Sequence, residues 1–321
     1  MDLPFPDPHP DAASAVLRTL ELTVTRRLAG RLHGDYRGML PGTGVDLADT
    51  RPYEPGDDVR RIDWAASARS GSTQLRTTVE DRELTLYLLI DVSGSMDFGS
   101  SVTSKRYVAA ACAAAFGFLT ARGANRVGGA VLAGSIWNWH EPRAGRDAVR
   151  AVLHQTLTET SNEPVDLEDA LWHLLRTTRR RGVVVIISDF IGVGNITAPL
   201  SALSQLHDTI AIEVTDPREQ TLTAAGVVAF EDPETGAQRV VDTSSPALRE
   251  AYANETKARR AALAEQFDSV GVDHLVMAAG GAIPDPAGDG FDLENGDSWL
   301  DQLVKWFNLR RRRVALTGSR R

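Results

Sequence analysis

At 321 residues, with 42% apolar and 24% charged side chains, the chain has material for one large or two modest globular domains. A net charge of −8 argues against general nucleic-acid affinity, and a single cysteine, Cys112, rules out an intramolecular disulfide. No apolar run approaches the roughly 20 residues of a membrane helix. The opening Met1-Asp2-Leu3-Pro4 lacks the basic and apolar regions of a secretory signal, so a cytoplasmic protein with a reduced core cysteine is expected.

Apolar residues at helical spacing (Leu17, Leu20, Val24, Leu28) predict a helix from Asp11 to about Leu32. From Gly34 to Glu80 the chain is turn-rich and charged, which reads as an N-terminal arm or small β subdomain. Its densest stretch is Arg51 to Arg69, where Asp57, Asp58 and Asp63 alternate with Arg60, Arg61 and Arg69 beside Tyr53 and Trp64. Such a stretch can neutralise itself through Arg–carboxylate pairs while packed on a larger domain, or it can serve as a docking surface; Asp57, Asp58, Arg60, Asp63, Trp64 and Arg69 are its candidate contacts. Residues 1–82 are therefore expected to pack on a main domain spanning 83–321, being too short and polar to build a core alone.

Strands and helices alternate after Glu83. Strands are expected at Thr85–Ile90, Arg126–Leu132, Gly182–Ser188, Thr209–Val214 and His274–Met277. Helices are expected at Lys105–Arg122, Arg146–Leu157, Leu167–Thr178, Ile196–Leu206, Pro246 to about Phe267, and Trp299–Leu309. The Lys105–Arg122 helix reads as burying one side, and Arg310–Arg313 read as a solvated tail beyond the last helix. Gly226–Phe230 and Gln238–Asp242 flank a turn-rich hexapeptide and predict an inserted β-hairpin; Gly280–Gly290 reads as a loop. The fold class is α/β, with a doubly wound, mostly parallel, Rossmann-like sheet.

The first strand ends in Asp91-x-Ser93-x-Ser95. One carboxylate and two hydroxyls on a loop at the carboxyl end of a strand form a hard oxygen site, suited to Mg²⁺ or Mn²⁺. The loop resembles the metal-ion-dependent adhesion site of von Willebrand factor A domains. Together with Tyr53-x-Pro55-Gly56-Asp57-Asp58-x-Arg60-x-Ile62-Asp63-Trp64 and Arg69, it resembles the bacterial domain-of-unknown-function 58 family over nearly the whole chain. That resemblance implies a von Willebrand A-like domain and a MoxR-type AAA+ ATPase, or its client, as partner in protein assembly or maturation. It also implies two further ligand positions. Asp189, after Val183–Ser188, matches one. The other, usually a threonine, is Val165 in Pro164-Val165-Asp166-Leu167, with Asp166 the nearest oxygen. Valine offers no donor, so weak Mg²⁺ binding is expected, and a metal-free scaffold is the alternative. An aspartyl-phosphate enzyme is a third reading; it wants a second carboxylate and a lysine, and Lys105 is the only lysine nearby. No histidine cluster has metal-ligand spacing.

Overall fold

The computed structural model describes residues 10–29, 32, 50–54, 57–76, 83–100, 103–134, 136–161, 163–231, 233, 235–280 and 299–318. The expected Gly280–Gly290 loop, apart from Gly280, and the whole stretch from 33 to 49 lie outside them.

Helix α1 (Pro10–Leu22) continues as a π-helical turn, Thr23–Leu28. Leu20, Val24, Leu28 and Leu32 recur every fourth residue, so they share one face and are all buried in the main core. Strands β1 (Thr50–Pro52) and β2 (Gln74–Arg76) pair antiparallel around α2 (Trp64–Ser70). In this unit the acidic side chains serve the backbone. Asp57 accepts from the Glu54 amide at 2.9 Å, Asp58 from Arg60 at 3.0 Å, and Asp63 caps α2 through Ala66 at 3.0 Å. Gly71, at φ 72°, closes that helix in the left-handed conformation. Arg60 and Arg69 are exposed, and Trp64 is 72% exposed.

The main sheet is built from β3 (Thr85–Asp91), β4 (Arg126–Ala133), β5 (Ile136–Ala144), β6 (Val183–Ser188), β7 (Asp208–Thr215) and β10 (Asp273–Ala278). Its order is β10-β7-β6-β3-β4-β5, parallel throughout except for the antiparallel edge strand β5. Strand β5 is absent from the sequence expectation. Its signal is the alternation Ile136-Trp137-Asn138-Trp139, and Trp137 and Trp139 stack at 5.9 Å on one face.

Alternate strand residues feed two cores. Leu86, Leu88 and Ile90 join a cluster with α1, α3 (Lys105–Thr120), α4 (Arg146–Thr158) and α9 (Trp299–Gly318). Tyr87 and Leu89 join a second cluster with α5 (Leu167–Thr177), α6 (Thr197–Leu206) and α8 (Pro246–Ser269). The sheet is thus covered on both faces. A short helix α7 (Pro217–Gln220) follows β7, and the hairpin β8 (Val227–Glu231) with β9 (Gln238–Asp242) precedes α8, as its turn residues predict.

Two expectations need correction. Helix α3 is buried along its whole length, because α1, α4 and α9 enclose the side the sheet leaves open. Its run Ala109–Ala115, broken only by Cys112, keeps that side thin enough for close packing. Arg310 is no solvated tail: α9 runs on to Gly318, and Arg310 is buried, reaching Asp208 at 2.5 Å and Asp273 at 3.3 Å. The side chains of Arg311–Arg313 lie outside the described residues.

Candidate functional site

From β3 the chain runs outward through β4 and β5; it then returns to the other side of β3 and runs outward again through β6 and β7. The reversal falls between β3 and β6, so their carboxyl ends flank the crevice where open α/β sheets place ligands. Asp91 ends β3 and Ser188 ends β6, with Asp189 the next residue.

These residues meet as the strand endings predict. The Ser188 hydroxyl donates to Asp91 Oδ2 at 2.7 Å, and the Ser93 amide donates to Asp91 Oδ1 at 2.9 Å. The Ser95 hydroxyl donates to Asp189 Oδ2 at 2.7 Å and lies 3.2 Å from Ser93 Oγ. The Ile191 amide donates to Asp189 Oδ1 at 2.9 Å. All four predicted residues of the two strand-end loops, Asp91, Ser93, Ser95 and Asp189, are less than 8% exposed. Burial, together with repulsion from Asp189, holds the Asp91 carboxyl above the usual carboxylate range, although Ser93 and Ser188 oppose the shift. Phe190 adopts φ 52°, a costly conformation for a bulky side chain; it turns the chain so that the Ile191 amide reaches back to Asp189.

Asp166 serves a helix end. It is exposed, and its Oδ1 caps α5 by accepting from the Asp169 amide at 3.0 Å. Val165 packs against the second core cluster.

The loops are held by Lys105, which the sequence reading weighs only for phosphoryl transfer, and by Arg106, Asp97, Asp216 and Glu219, which it passes over. The Lys105 ammonium, fully buried at the first turn of α3, donates to Asp189 Oδ2 at 2.7 Å and to Glu219 Oε1 at 2.5 Å. Burial alone would lower its pKa, but Asp189 and Glu219 more than reverse that, and the net shift is upward. Arg106 binds both oxygens of Asp97 and the Val92 carbonyl, clamping the Ser93–Asp97 turn. Asp216 accepts from both the amide and the hydroxyl of Ser100 and forms a capping box with Glu219 on α7. A signal for the basic pair was present: two cations at the N-terminus of an otherwise apolar helix oppose its dipole and call for carboxylates nearby.

The hairpin turn covers this end of the sheet. A Cβ built on Gly94 would lie 2.7 Å from the Pro233 carbonyl oxygen and 3.5 Å from that of Ser161.

A divalent ion does not fit this arrangement well. Asp91 has a donor on each oxygen, and Asp189 Oδ2 already takes both a hydroxyl and an ammonium proton. Val165 supplies no side-chain oxygen. Among the described residues, no group of three or more His, Cys, Asp or Glu side chains is disposed to hold a metal. The same contacts bring together two carboxylates and a lysine, the set that aspartyl-phosphate chemistry wants.

Comparison with known proteins gives a family without a described activity. The sequence profile described as "Protein of unknown function DUF58" matches residues 49–262. Uncharacterized proteins of Mycobacterium bovis and Mycobacterium tuberculosis are 40% identical over 309 residues, covering 95% of this chain and 92% of each relative. Among solved structures, the conserved hypothetical protein BatB from Bacteroides thetaiotaomicron aligns at 12% identity with a TM-score of 0.39, covering 72% of this chain and 98% of BatB. An aerotolerance-related membrane protein from Bacteroides fragilis aligns at 14% identity and 0.41, covering 72% and 99%. Among the described residues, no helix is long and apolar enough to cross a membrane.

Proposed function

This chain belongs to the DUF58 family, and on that premise we propose that it is a non-enzymatic protein-interaction module, with an adhesion-site-like layout of the von Willebrand A type, whose docking face is the carboxyl edge of the central sheet. The partner we propose, on the family resemblance, is a MoxR-type AAA+ ATPase or its client, met in the cytoplasm during protein assembly or maturation. The observation that carries the docking reading is a pair of exposed apolar side chains. Phe98, 43% exposed, follows the Ser93–Asp97 turn, and Ile191, 42% exposed, lies two residues after Asp189. Each stands on a loop whose polar residues are locked to one another beneath it, so the two anchors are presented on a rigid base.

The test is binding of the full chain to a purified MoxR-type ATPase from the same organism. Replacing both Phe98 and Ile191 by serine should weaken binding about tenfold or more, roughly 1.4 kcal/mol, whereas Val240→Ser, on the exposed hairpin, should not. A double variant that binds as well as wild type refutes the docking face.

Lys105 on Asp189 favours the phosphoryl-transfer alternative. Against it, Asp91 is 6% and Asp189 3% exposed, and each carboxylate oxygen already accepts a hydrogen bond. A phosphate adduct on either residue, seen by intact mass after incubation with a small phosphodonor, would move the balance to that reading.

A further inference from the structure

We propose that the Lys105 ammonium is the permanent cation of this site, so that the loops are organised, and a partner engaged, without a divalent metal. The inference rests on the docking reading but is tested apart from it.

The argument starts from where the ammonium sits. It is fully buried on the first turn of α3, and its two carboxylate partners come from different strand ends: Asp189 after β6 and Glu219 on α7 after β7. A buried charge is tolerated only when paired and hydrogen-bonded, and this one has two close anionic acceptors. From Asp189 the same network continues through the Ser95 hydroxyl to Ser93 and the Asp91 loop. From Glu219 it continues through the Asp216 amide, bonded at 3.2 Å, and the Asp216 carboxylate to Ser100. One tethered cation thus ties together the loops after β3, β6 and β7.

That is the work a bound cation does in an oxygen-rich site: it neutralises carboxylates and fixes the loops that carry them. Here the charge is covalently attached, and it claims the oxygen of Asp189 that Ser95 also uses. A divalent ion would have to displace the ammonium and strip donors from Asp91, and it would find valine where an oxygen is wanted. Mg²⁺, which demands near-octahedral oxygen geometry and dehydrates reluctantly, is a poor competitor for such a place. The oxygens that remain after removal of the ammonium, from Asp91, Ser93, Ser95 and Asp189, are of the hard type a divalent ion prefers. Lys105 therefore suppresses a latent metal site.

The experiment is a titration of the full chain with Mn²⁺, followed by electron paramagnetic resonance, with thermal unfolding in Mg²⁺ alongside. Wild type should show no saturable binding at millimolar Mn²⁺ and no change in melting temperature. Lys105→Met, which keeps the length of the stem, should melt lower without metal, bind one Mn²⁺ about tenfold or more tighter than wild type, and regain stability in Mg²⁺. Saturable one-to-one Mn²⁺ binding by wild type, lost in Asp91→Ala, overturns the proposal, and so does a folded Lys105→Met chain that stays blind to Mn²⁺. If Lys105→Met does not fold, the wild-type titration decides alone. Partner binding in EDTA separates the two readings. Binding that survives EDTA supports the tethered cation, and binding abolished by EDTA overturns it while leaving the docking face standing. Absence of binding under both conditions refutes the docking face and leaves the Mn²⁺ titration as judge of the cation.

Discussion

Gly94→Ala tests whether the hairpin turn seals the Asp91–Ser95 loop. Two opposing effects bear on this substitution. The φ of Gly94 lies outside the left-handed region, and the residue opens a 3-10 turn. Alanine therefore fits the local backbone, and by restricting the unfolded chain it should stabilise by about 0.4–1 kcal/mol. Against this, its Cβ would stand 2.7 Å from the Pro233 carbonyl oxygen and 3.2 Å from the carbonyl carbon. Both are backbone atoms, so relief to an ordinary contact of 3.4 Å needs a backbone shift of about 0.7 Å. Overpacking of this kind costs about 1–3 kcal/mol. The clash should win, with a net loss of about 0.5–2 kcal/mol and a fall in melting temperature of about 2 °C per kcal/mol in a chain of this size. The assay is thermal unfolding together with limited proteolysis across 231–238, where cleavage should become faster. Shortening the hairpin should relieve the clash and let the same substitution stabilise. A Gly94→Ala chain that melts higher than wild type, with unchanged hairpin cleavage, would show that Pro233 does not rest on this loop.

His207 should make the fold acid-sensitive. It is 2% exposed, its Nε2 lies 3.0 Å from the Thr178 hydroxyl, and burial, aided by Arg181, lowers its pKa to about 4. The folded state therefore accepts the neutral ring, whereas the unfolded chain takes up a proton below about pH 6.5. This stability is fully present above pH 6.5 and is lost as pH falls toward 4, by about 3 kcal/mol in all. Urea unfolding of wild type and His207→Gln across that window should show the difference, and parallel pH profiles would refute it. Cys112 supplies a second probe. It is fully buried on α3, and burial pushes its thiol far above the ordinary range. A thiol reagent should then react only at the rate of global unfolding, and fast labelling of the native chain would show that α3 is not enclosed.

The sheet was legible because its inner strands are buried on both faces and so read as unbroken apolar runs, as Val183–Ile187 does. The convergence of Asp91 and Asp189 was legible for a topological reason: each residue lies at the carboxyl end of such a run, and the strands pair directly. Strand β5 was missed because it lies at an edge. There Asn138 and His140, half-buried against Glu159 and Gln155 at the end of α4, and the exposed Glu141 interrupt the apolar pattern while Trp137 and Trp139 keep the period of two. The full burial of α3 was also hidden. It depends on α1 and α9 arriving from opposite ends of the chain to cover the Ala-rich side, and no window of sequence around the helix contains them.

Two irregularities in the candidate site carry the same meaning when taken together. The sequence shows Val165 where the adhesion-like pattern asks for an oxygen, and that absence alone suggests a merely weakened metal site. The sequence also shows Lys105 at the start of an apolar helix, a place that calls for a carboxylate nearby without saying which one. Folding answers this by setting it against Asp189 and Glu219 at 2.7 and 2.5 Å. A cation already in place removes the need for a hydroxyl ligand at 165. The valine is then free to pack its methyl groups against the second core cluster. The missing ligand and the added lysine are thus two sides of one exchange, and each predicts the other. On this reading, Val165→Thr by itself should confer no Mn²⁺ binding. Combined with Lys105→Met, it should bind Mn²⁺ more tightly than Lys105→Met alone, because only then does the hydroxyl that the adhesion-like pattern asks for accompany a vacated charge. Binding gained by Val165→Thr with Lys105 intact would break the link and return the site to a metal.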